Sequence, residues 1–203
     1  MLVVRHGEST WNAVRRWQGQ SDPPLSERGE HQARRAAIAA PDHGSFDAVV
    51  TSHLRRARRT GSIIADSLGV ELLDAEPGLA ERSAGEWEGL TRAEIERRNP
   101  GFLAQRRRPP GYESDESIVE RSSAALRGLA ERHGSAALLV ISHGGIIHAL
   151  ERAGSGDREW RRLDNLTGVW FAVRHDRIVA EGNRVALVPD GGPAIPPPDA
   201  GYA

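Results

Sequence analysis

The sequence predicts an α/β protein, a three-layer αβα sandwich on a mostly parallel mixed sheet, and three observations carry that expectation. Short apolar runs rich in β-branched residues alternate with longer segments of helical periodicity, the pattern of a parallel sheet covered on both faces. Two of those runs, LVV at residues 2–4 and ALLVI at residues 137–141, end in the same way, in RHG and in SHGG. At 203 residues, with 38% hydrophobic and 27% charged residues, the chain suits one domain with a sizeable core. The expected domain is 1–188. The Pro- and Gly-rich end, PDGGPAIPPPDAGYA at 189–203, reads as a disordered tail.

Each element follows from a local signal. Leu2, Val3 and Val4 read as a buried strand that the chain leaves at Arg5 and His6. The stretch WNAVRRWQGQSDPPLSERG, polar and containing Gly and Pro, reads as a functional loop. Ser26, with Glu30 nearby, caps a helix over HQARRAAIAA that stops before Pro41. FDAVVTS is the second strand, LRRARRTGSIIADSLG a helix ended by Gly69, and VELLDAE the third strand. GLAERSAGEWEGLTRAEIERRNPGF is a loop and then a short helix, with Thr91 and Glu94 as its capping box. RRRPPGYESDE is an irregular excursion, and SIVERSSAALRGLAERHG an amphipathic helix closed by Gly134. Strand ALLVIS, helix GGIIHALERAG and a pair of strands near TGVWFAVRH and RIVAEGNRVALV complete the domain, with no solenoid-type repeat.

Composition narrows the chemistry. A net charge of -1 gives no global field for nucleic acid or an anionic membrane. Without cysteine there is no disulfide framework, thiol nucleophile or Cys-ligated zinc. All the basic residues are arginine, which excludes Schiff-base and pyridoxal enzymes and the P-loop, since each needs a lysine amine. No G-x-S-x-G elbow occurs. The chain starts in a strand, with no basic leader and no apolar segment of membrane length, so a cytoplasmic location is expected.

Ligands of open α/β sheets bind outside the carboxyl ends of the strands. His6 and His143 lie at such ends, and residues 52–56 follow another. Three segments therefore converge with two imidazoles, Arg5, Arg56 and helix N-terminal amides. Guanidinium forks match phosphate oxygens, so this is an anion site in which a histidine can be nucleophile rather than metal ligand.

The motif RHGESTWN, followed in order by QGQSDPPLSERG, TSHLRRARRT, LAERSAGEWEG and SHGG, resembles the histidine phosphatase superfamily, the phosphoglycerate mutase-like proteins. The match covers roughly the whole globular part. By that resemblance His6 is the phosphate acceptor and Arg5 and Arg56 bind phosphate. Glu81 is the acid and His143 the second histidine. Asn12 is a further phosphate contact, and Gln18 lies near the phosphate, with Gly19 and Gly144 beside it among the expected substrate-binding residues. No metal and no cofactor are implied, and the expected partner is a small phosphorylated metabolite, with neither nucleic acid nor membrane; a homodimer stays open.

The implied mechanism has two steps. Neutral His6 attacks phosphorus while Glu81 protonates the leaving oxygen, and water activated by the same carboxylate then releases phosphate. Phosphate-monoester hydrolysis demands accelerations of up to ~10²¹-fold, and one guanidinium contributes about 4 kcal/mol at an effective dielectric of ~20. A convergent set of cations is needed.

Duller readings stand beside these. A strand-end histidine seen alone is more often a hydrogen-bonded structural residue, and only the paired contexts single out His6 and His143. His148 lacks the spacing of a helical metal pair and is expected to be structural; His31, His43, His53, His133 and His175 are expected at the surface. Arg55, Arg58, Arg59, Arg106, Arg107 and Arg108 read as solvated faces. Trp11, Trp17 and Trp87 are core or pocket wall. Cofactor-dependent mutases resemble ERHYG and HGNS where this chain has ERSAG and SHGG, and they carry a longer basic insertion, so the chain is more similar to the broad-specificity phosphatase branch. Tyr112 departs from the glycine common before Glu-Ser. The alternatives are a cofactor-dependent phosphoglycerate mutase and a non-catalytic phospho-ligand binding protein, and loss of the acid or a histidine would mark the latter.

Overall fold

The computed structural model describes residues 1–155 and 163–188; the expected tail at 189–203 lies outside them. Among the described residues six strands form one sheet in the order β3-β2-β4-β1-β5-β6. β1 (Leu2–Arg5), β2 (Ala48–Thr51), β3 (Glu71–Leu72) and β4 (Leu138–Ser142) are parallel. β5 (Thr167–Arg174) runs antiparallel to β1, and β6 (Arg177–Ala186) returns beside it through a hairpin. His175 and Asp176 turn that hairpin with φ of 48° and 66°, the left-handed pair whose twist matches two antiparallel strands. The expected mixed, mostly parallel sheet is present. β3 is only two residues long, much shorter than the VELLDAE run suggested.

Strand alternation divides the core. Val3, Val50, Val140 and Val169 face one way, onto α5 (Asp115–His133) and α6 (Gly144–Ser155), with Ile118, Leu126, Leu129, Ile146 and Leu150. Leu2, Val4, Val49, Leu139 and Ile141 face the other way, onto α2 (Glu27–Ala39) and α3 (Arg55–Leu68). In α3 the buried residues Ala57, Thr60, Gly61, Ile64 and Ala65 fall at i, i+3, i+4, i+7 and i+8, one stripe of a 3.6-residue helix, while Arg55, Arg58 and Arg59 stay exposed. Truncating fully buried Ile64 or Leu126 to Ala would cost about 2–5 kcal/mol.

Helix ends follow the expected chemistry. Ser26 Oγ accepts from Gly29 N, Thr91 and Glu94 make a reciprocal capping box on α4 (Arg92–Arg98), and Gly69 ends α3 in the left-handed region. α5 starts two residues earlier than SIVERS suggested, because Ser114 accepts from Ser117 N and admits Asp115 and Glu116 to the first turn. The expected loop after β1 contains a short helix, α1 (Thr10–Ala13), capped by Ser9. A third small core, Trp17, Ala84, Trp87, Leu90, Ile95 and Leu103, sits apart from the sheet. Trp17 and Trp87 are thus core residues, and Trp11 is half-buried. Arg107 and Arg108 are not simply solvated as expected: their guanidinium groups lie 4.0 Å from the Phe102 ring centre and 5.2 Å from that of Tyr112. His31, His43, His53 and His175 are exposed, and His133 is half-buried.

Candidate active site

The three central strands deliver the site. β4 lies between β2 and β1, with Arg5 level with Ser142 and Thr51 level with Ile141, so the three carboxyl ends are adjacent. Backbone bonds carry this register past the strands: His6 N donates to Ser142 O at 3.0 Å, and Ser52 N to Ile141 O at 3.0 Å. The His6 and His143 rings stand 5.1 Å apart, centre to centre. The structure brings the two sequence-matched histidines together.

His6 is held in one tautomer. Its Nδ1 lies 2.6 Å from Gly7 O, and a carbonyl only accepts, so Nδ1 carries the proton and Nε2 the lone pair. Arg56 Nε donates to that Nε2 at 3.3 Å, in agreement. The ring is almost wholly buried, and Asn165 Nδ2 donates to its backbone oxygen at 2.8 Å. Burial first, then the guanidinium groups of Arg56 and Arg5, keep its pKa well below the ordinary histidine value; the Gly7 bond opposes this weakly. His6 is a neutral imidazole with its free nitrogen against a cation.

Arg56 is fully buried yet bonded at three nitrogens. Besides His6, it donates to Ser21 O at 2.7 Å and Gly19 O at 2.9 Å. Burial lowers its pKa to about 10, against the pull of the Glu81 and Asp22 carboxylates, so it stays charged at neutral pH. Arg5, from the end of β1, donates to Leu163 O at 2.6 Å. Gly144, which opens α6, lies beside Arg5. His143 is fully buried; its Nε2 is 2.6 Å from Ser52 Oγ, while its Nδ1 has no hydrogen-bond partner among the described residues. Burial and then Arg56 hold its pKa well below the usual value.

Glu81 reaches the site from the loop between β3 and α4. Its Oε1 accepts from Arg82 N at 2.8 Å and its Oε2 from Gly145 N, in the first turn of α6, at 3.2 Å. A Cβ on Gly145 would fall 2.1 Å from Glu81 Oε1, so the second glycine of SHGG makes room for the carboxylate. Arg121 fixes the backbone beneath, donating to Gly78 O and Ala80 O at 2.8 Å each and to Glu81 O at 3.1 Å.

The remaining expected residues are placed around this centre. Asn12 Oδ1 accepts from Ser9 N at 3.1 Å in the cap of α1, which leaves its amide Nδ2 as the donor for an anion. Gln18 Oε1 accepts from Ser9 Oγ at 2.6 Å. Gly19 acts through its carbonyl on Arg56, at φ +51°. Tyr112 is half-buried with its ring 6.0 Å from that of Trp87, between Arg82 and Arg108. His148 is bonded to Arg184, and burial lowers its pKa to about 3. Sequence reasoning missed Ser52, Gly145, Arg121, Asn165 and Glu88. Ser52, Gly145 and Glu88 lay within motifs already noted; for Arg121 and Asn165 one sequence carries no signal.

A guanidinium pair, two neutral imidazoles and a carboxylate within one crevice suit a phosphoryl group. The family model that matches residues 1–182 is the histidine phosphatase superfamily (branch 1). The chain belongs to this superfamily. It is 34% identical over 183 residues to an uncharacterized phosphatase, PhoE, of Bacillus subtilis, covering 88% of this chain and 91% of that one. It is 42% identical over 158 residues to a probable phosphoglycerate mutase, GpmB, of Photorhabdus laumondii, covering 71% and 69%. A mycobacterial glucosyl-3-phosphoglycerate phosphatase solved with VO3 superimposes with a TM-score of 0.76 at 27% identity, over 89% of this chain and 95% of that one. This chain carries its two matched histidines at the ends of neighbouring strands of its mixed sheet. Among the described residues no helix is long and apolar enough to cross a membrane.

Proposed function

We propose that this chain is a metal-independent phosphatase that hydrolyses phosphate monoesters of small metabolites through a phosphohistidine on His6. The observation that carries the reading is the His6 tautomer: Nδ1–H donates to Gly7 O at 2.6 Å, which leaves Nε2 as the lone pair beside the Arg56 guanidinium. An imidazole kept neutral by burial and cations is a nucleophile at neutral pH without a separate base.

Nε2 attacks phosphorus, and the ester P–O bond breaks as its oxygen takes a proton from the Glu81 carboxyl. The resulting carboxylate then removes a proton from water, whose oxygen displaces Nε2 from phosphorus and frees inorganic phosphate. Arg5, Arg56 and the Asn12 amide hold the phosphoryl oxygens. His143 joins them when Ser52 donates to its Nε2, because its buried Nδ1 then carries a proton. The likeness to PhoE and to the mycobacterial phosphatase supports hydrolysis, whereas the likeness to GpmB supports phosphate return to substrate. Product analysis with 3-phosphoglycerate and added bisphosphoglycerate separates them: free phosphate is expected, and efficient formation of 2-phosphoglycerate establishes the mutase.

Mass spectrometry of enzyme quenched without acid during p-nitrophenyl phosphate turnover tests the intermediate. Phosphate on His6 alone is expected, with no turnover by His6→Ala. Label on a serine or aspartate would refute the mechanism.

A further inference from the structure

Arg56 depends on a loop with no helix or strand of its own. Its two terminal nitrogens are satisfied by the carbonyl oxygens of Gly19 and Ser21, and nothing regular fixes those carbonyls. Besides the turn bond from Ser21 N to Gln18 O at 3.0 Å, what fixes them is one side chain, that of Glu88. Glu88 Oε1 accepts from Gln20 N at 2.9 Å and from Ala84 N at 3.1 Å. Its Oε2 accepts from Ser21 N at 2.8 Å and Ser21 Oγ at 2.7 Å. A carboxylate has about four lone-pair sites, and here four donors meet them. Ser21 therefore shares its N–H between Glu88 and Gln18 O and gives its C=O to Arg56. Gly19 belongs to the same clamp: a Cβ there would lie 2.1 Å from Glu88 Oε1 and 2.7 Å from Ala84 N, at φ +51°.

We infer that Glu88 is a positioning residue that sets Arg56 through the backbone of residues 19–21; this rests on Arg56 being a phosphate-binding group. Glu88 makes no hydrogen bond to His6 or Glu81; Gln20 Nε2 does donate to Glu81 O at 3.1 Å, but Arg121 holds that carbonyl too, so the influence of Glu88 on the reaction runs chiefly through Arg56. The chain of contact is short and polar throughout. Carboxylate holds amides, the carbonyls of the same loop hold guanidinium, and guanidinium holds the His6 lone pair. Removing the carboxylate leaves the N–H groups of Gln20, Ser21 and Ala84 to find other partners, and Gly19 O and Ser21 O move with them. A misplacement of about 1 Å at a charge-binding group costs about 10²-fold in rate.

The test is a double-mutant cycle on the full chain, with orthovanadate binding by calorimetry and kcat/KM on p-nitrophenyl phosphate as readouts. Glu88→Ala is expected to lower both by about 10²-fold. Glu88→Gln should fall between, because its carbonyl still serves two of the donors while its amide faces the others. In the Arg56→Ala background, Glu88→Ala should change kcat/KM by less than about 2-fold, the scatter of such cycles, because the effects of sites that act through one another do not add. An undiminished loss in that background overturns the inference, as does unchanged vanadate affinity in Glu88→Ala. If circular dichroism shows that Glu88→Ala does not fold, Glu88→Gln and Gly19→Ala take its place in the cycle. An undiminished loss beside Arg56→Ala, or unchanged vanadate affinity, then overturns the inference in the same way. A wild type that binds vanadate but releases no phosphate overturns the phosphatase reading instead, and vanadate affinities in the cycle then decide the role of Glu88.

Discussion

Arg56 Nε donates to His6 Nε2 across 3.3 Å, so the guanidinium proposed to bind phosphate and the nitrogen proposed to attack it are joined directly. The same guanidinium spans Gly19 O and Ser21 O, a geometry that only a planar fork can satisfy. Arg56→Lys keeps the charge and loses the fork. Steady-state kinetics should show kcat/KM reduced by about 10²- to 10³-fold, the scale of losing one preorganised donor. Near-normal activity with lysine would reduce the role of Arg56 to charge alone.

Glu81 is predicted to show its role through the leaving group. Glu81→Gln should cost about 10²- to 10⁴-fold on alkyl phosphates such as 3-phosphoglycerate, where the departing alkoxide needs a proton. The loss on p-nitrophenyl phosphate should be clearly smaller. Gly145→Ala should copy this signature, because its Cβ would fall 2.1 Å from Glu81 Oε1 and displace a flexible carboxylate while the backbone stays put. Equal losses on both substrate classes would take Glu81 out of the proton transfer.

Stability should fall on mild acidification. His6, His143 and His148 are kept neutral in the fold, chiefly by burial, with His148 lowered to about 3. In the unfolded chain each titrates near ~6.5. Below that pH the unfolded chain binds protons that the folded chain refuses, so stability is fully present above about 6.5 and declines as pH falls. Each histidine adds up to about 1.4 kcal/mol per pH unit to the slope. Urea titrations between pH 7.5 and pH 5 should show the decline, and His148→Gln should lessen it. A flat profile would mean that these rings are charged in the folded protein.

Chelation should leave turnover unchanged. In the proposed mechanism arginine, imidazole and amide donors meet the phosphate charge, so p-nitrophenyl phosphate hydrolysis with EDTA should match the control. Activity lost to the chelator and restored by zinc or magnesium would contradict the proposal.

Much of this was legible in the sequence because the informative residues are local. β1 and β4 each announce a strand end and a histidine within a few positions, and Ser26, Thr91 and Gly69 mark helix ends by their own side-chain or backbone chemistry. What stayed hidden depends on distance along the chain. Arg121 reaches the backbone of Glu81 from 40 residues away, and Asn165 reaches His6 O from 159. Neither partner alters the local pattern around the other. β3 was overestimated because an apolar run signals burial, while strand length is set by how much neighbouring edge is available to pair. Arg107 and Arg108 read as solvated because their aromatic partners are not interleaved with them but arrive from Phe102, Trp87 and Tyr112.

The small core of Trp17, Trp87, Leu90, Ile95 and Leu103 shares no residue with the two cores that flank the sheet. Cohesion in this molecule is therefore divided into separately held parts. The segment built on those tryptophans should open ahead of the paired strands, its amides exchanging with solvent before those in β1 and β4. That segment also carries Glu88, next to Trp87, so a change that shifts the tryptophan also shifts the hold on residues 19–21.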